Sequence, residues 1–190
     1  MRIISGSAKG RKLKSPKDQL TRPTSDRLKE TLFNILAPKI YGAHILDVFA
    51  GSGALGLEAI SRGAASVTFF EIHKEAVRLI QDNVELCGFQ KQSRLIVGDA
   101  ISKIKTFFPG VDQKIDLVFI DPPYQTGLAE HALEVLSQVS WLKPTVTIVV
   151  EHHGKEELPD EISSLKKYRV LKQRDSTITF YGRSEEGVTE

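Results

Sequence analysis

The chain has a single cysteine, Cys87, among 190 residues. That excludes an internal disulfide and any multi-cysteine metal site, and it fits a reducing, cytoplasmic setting. No apolar run approaches the roughly 20 residues that a bilayer-spanning helix needs, so no membrane span is expected. The opening Met1-Arg2-Ile3-Ile4-Ser5-Gly6 lacks the long apolar stretch of a secretory signal. Internal repeats and low-complexity tracts are missing as well. What remains is a soluble globular composition, 41% hydrophobic and 26% charged. The length suits one domain with a small appendage. A monomer without metal is expected.

Net charge is also scarce, at +2, but the sum hides an asymmetry. Residues 1–39 carry 10 Lys/Arg against 3 Asp/Glu, and the remainder carries 16 against 21. A basic arm on a mildly acidic body suits a polyanion that docks on one side. A plain solvated segment would look the same by charge alone.

Residues 1–20 read as a short β-hairpin or arm with few apolar anchors, punctuated by Gly6 and Gly10. Arg22-Pro23-Thr24 then opens a helix with Leu28, Leu32, Ile35 and Leu36 on one face, and Pro38 is expected to stop it. From His44 onward, strands and helices alternate. Strands are predicted over 44–49, 66–71, 93–97, 115–120 and 145–151, with helices over about 54–62, 73–86, 99–108 and 128–139. A weak helix near 156–165 precedes a terminal hairpin, 168–172 and 176–181. This βαβ rhythm predicts an α/β fold, a mostly parallel sheet with helices on both faces. The domain is expected over 21–183, with a frayed tail over 184–190.

The first strand ends in Gly51-Ser52-Gly53-Ala54-Leu55-Gly56, a G-x-G-x-x-G loop that lets a ligand approach the backbone. Alone it is a weak signal. Asp47 sharpens it, giving D-x-F-x-G-x-G with Phe49. A loop built for an anionic pyrophosphate has no need of a carboxylate there. A cationic sulfonium ligand with a free amino group tolerates one well. Glu71, followed by Ile72, closes the second strand, where an acid can accept both ribose hydroxyls of a nucleoside. Asp99, followed by Ala100, stands after the third strand. Its carboxylate suits either an adenine amino group or the N-cap of the next helix. All three acids fall at C-terminal strand ends, where open α/β sheets bind ligands.

Asp121-Pro122-Pro123-Tyr124 is the sharpest feature. Two prolines remove two backbone donors, so the turn offers carbonyls and a carboxylate as acceptors. Tyr124 adds a flat face. Those parts grip a planar base that carries an –NH2 group. The lone pair of such an amine is delocalised. Hydrogen bonds to Asp121 and the Pro122 carbonyl would aim it at an activated methyl.

At these residues the sequence resembles the class I methyltransferases marked by [D/N]-P-P-[Y/F/W]. Met1–Gly6, Gly10-Arg11-Lys12-Leu13, Arg22-Pro23-Thr24-Ser25-Asp26-Arg27, Glu30–Leu36 and Asp47–Ala59 are similar to signatures of the RsmD family, bacterial 16S ribosomal RNA guanine-N2 methyltransferases. The likeness spans nearly the whole chain and weakens after about Glu151. It implies a Rossmann-like, seven-stranded methyltransferase sheet with an N-terminal hairpin and S-adenosylmethionine as cofactor. Cofactor contacts are implied around Gly51, Ser52, Gly53, Glu71 and Asp99, and catalysis at Asp121–Tyr124. The segment with Arg22 and Thr24 is implied to lie near the active site, and the small ribosomal subunit to be the partner. Arg11, Lys12 and Lys14 are the preferred phosphate contacts.

Other features read more plainly. Adjacent His152 and His153 point to opposite faces of a strand and make poor joint metal ligands. Cys87, Trp141 and Phe107-Phe108 are expected in the core, and Lys166, Lys167 and Arg169 on a solvated edge. Three rivals stay open on residues alone. One is an amino-methyltransferase for another base or a protein amide. The second is an NAD-dependent oxidoreductase, and the third an idle RNA-binding scaffold.

Overall fold

Runs that are apolar at consecutive positions need cover on both faces. The computed structural model describes residues 1–15, 26–110, 113–124, 126–173 and 175–184. In it these runs become β1 (His44–Asp47), β2 (Ser66–Glu71), β3 (Ser93–Val97), β4 (Ile115–Ile120) and β5 (Leu142–His153). Among the described residues five helices accompany them: α1 (Asp26–Ile40), α2 (Ala54–Ser61), α3 (Lys74–Cys87), α4 (Ala100–Thr106) and α5 (Leu128–Ser137). The chain ends in β6 (Glu161–Ile162), β7 (Leu165–Gln173) and β8 (Ser176–Arg183).

The strand order is β3-β2-β1-β4-β5-β8-β7-β6. β1 to β5 are parallel, and β8 runs antiparallel between β5 and β7. Alternation along each strand sorts the core into two layers. Ile45, Leu117 and Phe119 meet α1, α2 and α3, while Leu46, Val118 and Ile120 meet α4 and α5. Each such fully buried side chain contributes roughly 1.5–3 kcal/mol. The order reverses between β1 and β4. At such a switch point the following loops diverge to opposite faces and leave a crevice.

The structure departs from the sequence reading in several places. The sheet has eight strands, because two-residue β6 adds to the expected seven. Pro38 does not stop α1, which continues to buried Ile40. In the last turn one lost backbone bond is outweighed by burying that side chain. No helix forms over 156–165. Leu158 and Ile162 are buried there, the Pro159 carbonyl accepts the Tyr181 hydroxyl at 2.6 Å, and Lys167 N–H reaches the Asp160 carbonyl at 2.7 Å. Those ties pin the segment flat along the sheet. Phe108 is exposed, whereas Phe107 and Trp141 pack edge to face in the core. No helix among the described residues is long and apolar enough to cross a membrane.

The expected N-terminal hairpin is present as a short antiparallel pairing: Arg2 bridges Lys12, Ile3 N–H donates to the Arg11 carbonyl at 3.0 Å, and Leu13 N–H donates to the Met1 carbonyl at 3.1 Å. Other backbone donors of the arm go to α2. Ile4 and Ser5 N–H donate to the Glu58 carboxylate at 2.8 and 3.0 Å, and Ala8 N–H donates to Ser61 Oγ at 3.0 Å. Ile3, Ala8 and Leu13 are buried beneath this arm. Glu58 is itself buried and pairs with Lys29 Nζ at 3.3 Å and Arg62 Nε at 2.8 Å. Burial pushes the Lys29 ammonium below its ordinary pKa, and Glu58 opposes that. The arm is thus docked on the domain by a buried ionic cluster.

Candidate active site

The glycine loop leaves β1 as a tight turn, closed by Gly53 N–H to the Ala50 carbonyl at 2.7 Å. Gly51 and Gly53 hold φ of +55° and +76°, which side chains with a Cβ rarely adopt. A Cβ on Gly51 would meet nothing within 4 Å, so this backbone faces open space. A Cβ on Gly56 would lie 2.4 Å from Phe69 and 2.7 Å from Val67. The third glycine therefore serves the close approach of α2 to β2.

Acids line the same edge of the sheet. Asp47 is buried, and its Oδ2 accepts Gly56 N–H at 3.2 Å. Burial pushes its carboxyl up to about 7, with the Glu71 charge adding and the Gly56 hydrogen bond opposing. Glu71 is buried too. Its Oε2 accepts Gly51 N–H at 2.9 Å, and its Oε1 accepts Ile72 and His73 N–H, both at 2.8 Å. Glu71 thereby joins the glycine loop to the tip of β2. Asp99 takes the N-cap role, accepting Ser102 N–H at 2.8 Å, and that bond holds its carboxyl below the usual range. Ile72 is exposed at the β2 tip, whereas Ala100 is buried in the core and Phe49 packs against that core.

β4 delivers Asp121-Pro122-Pro123-Tyr124 to this edge, beside β1. Asp47 pairs in register with Phe119, two residues before Asp121. The Asp121 carboxyl stands well above its usual pKa because it is desolvated and faces Glu151 and then Asp47. Pro122 is buried, and the Pro123 carbonyl accepts the Thr126 hydroxyl at 2.8 Å. The Tyr124 ring is exposed and meets the His153 ring edge to face, at 5.6 Å and 74°. His153 Nδ1 accepts Lys155 N–H at 3.1 Å. His152 points the other way and reaches Thr179 Oγ1 at 2.9 Å.

These parts suit a sulfonium-bearing amino-acid nucleoside: an open glycine backbone, a buried acid beside it, and an acid at the neighbouring strand tip. Among known proteins, the model of the family described as "Conserved hypothetical protein 95" matches residues 1–182. The Haemophilus influenzae protein named ribosomal RNA small subunit methyltransferase D is 38% identical over 182 residues, covering 95% of this chain and 91% of that one. Its Escherichia coli namesake is 36% identical over 190 residues, covering 100% and 93%. The chain belongs to the RsmD family.

The solved structure of the Escherichia coli protein yhhF superposes with a TM-score of 0.84 at 35% identity, covering 98% of this chain and 99% of that one. An RNA methyltransferase from Salinibacter ruber, solved with S-adenosyl-L-homocysteine, superposes at 0.62 with 16% identity, covering 88% and 97%. That likeness concerns the fold, which in this RsmD-family chain is the Rossmann-like sheet of class I methyltransferases.

The fold gathers Asp47, Gly51, Ser52, Gly53, Glu71, Asp99 and Asp121–Tyr124 at one edge. Arg11, Lys12 and Lys14 are exposed on the arm. Arg22 and Thr24 lie outside the described residues. Sequence reasoning missed Glu151, buried beside Asp121 with its Oε1 accepting Ser176 Oγ at 2.8 Å. An acid near the end of a fifth strand, after acids at four others, was the available signal. It also missed the contact of His153 with Tyr124, which no spacing reveals.

Proposed function

We propose that this chain transfers a methyl group from S-adenosylmethionine to the exocyclic N2 amino group of a guanine in 16S rRNA. The observation that carries the reading is the Asp121–Tyr124 turn standing beside the glycine loop at the β1/β4 switch point. The names of the Haemophilus influenzae and Escherichia coli relatives point to small-subunit rRNA. Guanine N2 follows from the RsmD resemblance and from an acceptor-rich turn that suits an amino group.

When bound, the cofactor supplies an electrophilic methyl on a cationic sulfur. Gly51, Ser52 and Gly53 would hold it along their backbone, Glu71 would accept its ribose hydroxyls and Asp99 its adenine amino group. Asp47 balances its positive charge. Asp121 and the Pro122 carbonyl accept the two amino hydrogens of the guanine, and Tyr124 stacks on the ring. That placement aims the nitrogen lone pair at the methyl carbon, and positioning of this kind contributes up to roughly 7–11 kcal/mol. An amino nitrogen becomes acidic only as it is alkylated. Its proton leaves to Asp121, whose carboxylate is a stronger base for being desolvated. Arg11, Lys12 and Lys14 meet phosphates. Arg22 and Thr24 join the substrate side, and a monomer acts on the small subunit in the cytoplasm.

The test is transfer of labelled methyl to stripped 16S rRNA, small subunits, DNA and protein, followed by mass spectrometry of the nucleosides. N2-methylguanosine in rRNA is expected. Label confined to protein or DNA, or a different methylated nucleoside, would overturn the assignment.

A further inference from the structure

Asn83 sits in α3, fully buried, and the chemistry above makes no use of it. A buried amide is tolerated only when its donors and acceptor are met. Its partners here come from two segments far apart in sequence. Oδ1 accepts Lys14 N–H at 2.7 Å, and Nδ2 donates to the Lys14 carbonyl at 2.9 Å. The same Nδ2 donates to the Ser52 carbonyl at 3.0 Å. One planar group thus clamps the end of the basic arm to the middle of the glycine loop. A second contact runs alongside. Leu13 N–H donates to the Met1 carbonyl at 3.1 Å, and the Met1 sulfur lies 4.0 Å from the Ser52 hydroxyl.

We propose that Asn83 is a positioning residue that couples the two ligand sites, so that cofactor on the glycine loop and RNA on the basic arm strengthen each other's binding. This rests on reading the loop as the cofactor cradle and the arm as the RNA-docking element. The route is a shared amide plane. Holding the Ser52 carbonyl in one place holds Nδ2, and with it both backbone groups of Lys14. A loop that shifts takes one acceptor away and loosens the Lys14 pair. A ligand that favours one loop arrangement must therefore favour one arm arrangement, and linkage makes the effect reciprocal. A brace with only a structural role would hold the arm equally with and without cofactor.

Hydrogen exchange on the full chain reads this directly. Saturating S-adenosylhomocysteine is expected to slow exchange at the Lys14 amide by about fivefold or more. Amides of β7 and β8 serve as the unaffected reference. In parallel, S-adenosylhomocysteine is expected to tighten 16S rRNA binding by a similar factor, and Asn83→Ser is expected to abolish that gain. An unchanged Lys14 exchange rate, or an equal gain in Asn83→Ser, overturns the coupling. Should the variant fail to fold, exchange on the unaltered chain decides alone. Calorimetry separates the two layers. S-adenosylhomocysteine that binds without slowing Lys14 overturns the coupling only, whereas no binding at all overturns the functional reading and the coupling with it.

Discussion

Two carboxyl groups at the switch point carry the most specific expectations. Asp121→Ala removes the acceptor that orients the amine, so methyl transfer should fall by about 100-fold or more while S-adenosylhomocysteine affinity stays within about threefold. Single-turnover rates and calorimetry on one preparation check this, and turnover near the parent level would remove Asp121 from the reaction. Asp47 should shape the pH dependence. Its folded pKa, about 7, lies above the unfolded value of 3.8, so the folded state holds the extra proton between them. The associated stability is full below about pH 4 and is lost as pH rises through about 7. Urea midpoints of the cofactor-free protein should decline over that window, and Asp47→Asn should flatten the decline. Cofactor binding should run the opposite way, tightening from pH 6 to 8, because a cation favours the ionised acid. Both acids were legible as residues at strand ends. Their raised pKa values were not, because desolvation and the facing Glu151 exist only once β1, β4 and β5 lie side by side.

Among the elements, β2 and β4 match their sequence bounds, since burial on both faces leaves little choice of register, whereas β3 matches as a partly exposed edge strand. α2 rests on a tighter condition. Gly56→Ala would drive a methyl into Phe69 and Val67, which form the wall of the neighbouring strand. Overpacking of this kind costs about 1–3 kcal/mol, and the shift in urea midpoint measures it. Stability equal to the parent would mean that α2 and β2 can separate freely. The segment over 156–165 shows how local pattern fails. Its apolar spacing permits a helix, but Pro159 and Asp160 carbonyls are claimed by β8 and β7. The N-terminal hairpin keeps its cross-strand bonds, but what docks it could not be read locally, because Ile4, Ser5 and Ala8 N–H donate to Glu58 and Ser61 of α2.

For the whole molecule, charge is arranged by segment. Asp47, Glu71, Asp99 and Asp121 gather at the C-terminal strand ends, with Glu151 buried beside Asp121, a set that suits a cationic ligand better than phosphate. Under the proposed function a polyanion is held from the side, and Arg11 and Lys12, exposed on the arm, are the proposed contacts. Neutralising both should weaken RNA binding at low salt and reduce the slope of log K against log salt by about 1.4, as expected for two single-strand phosphate contacts. Fluorescence titrations from 50 to 300 mM salt check this, and an unaltered slope would place the RNA on another face.

Chain order and local chemistry were enough for the alternating βαβ plan, the glycine turn and the acceptor-rich proline turn, because each depends on neighbours a few residues away. The lodging of β8 between β5 and β7, the docking of the arm on buried Glu58, and the meetings of His153 with Tyr124 and of Asn83 with Lys14 and Ser52 belong to the folded state alone. Those contacts join residues whose separation along the chain leaves no periodic trace, and only competition for buried hydrogen bonds and volume selects them.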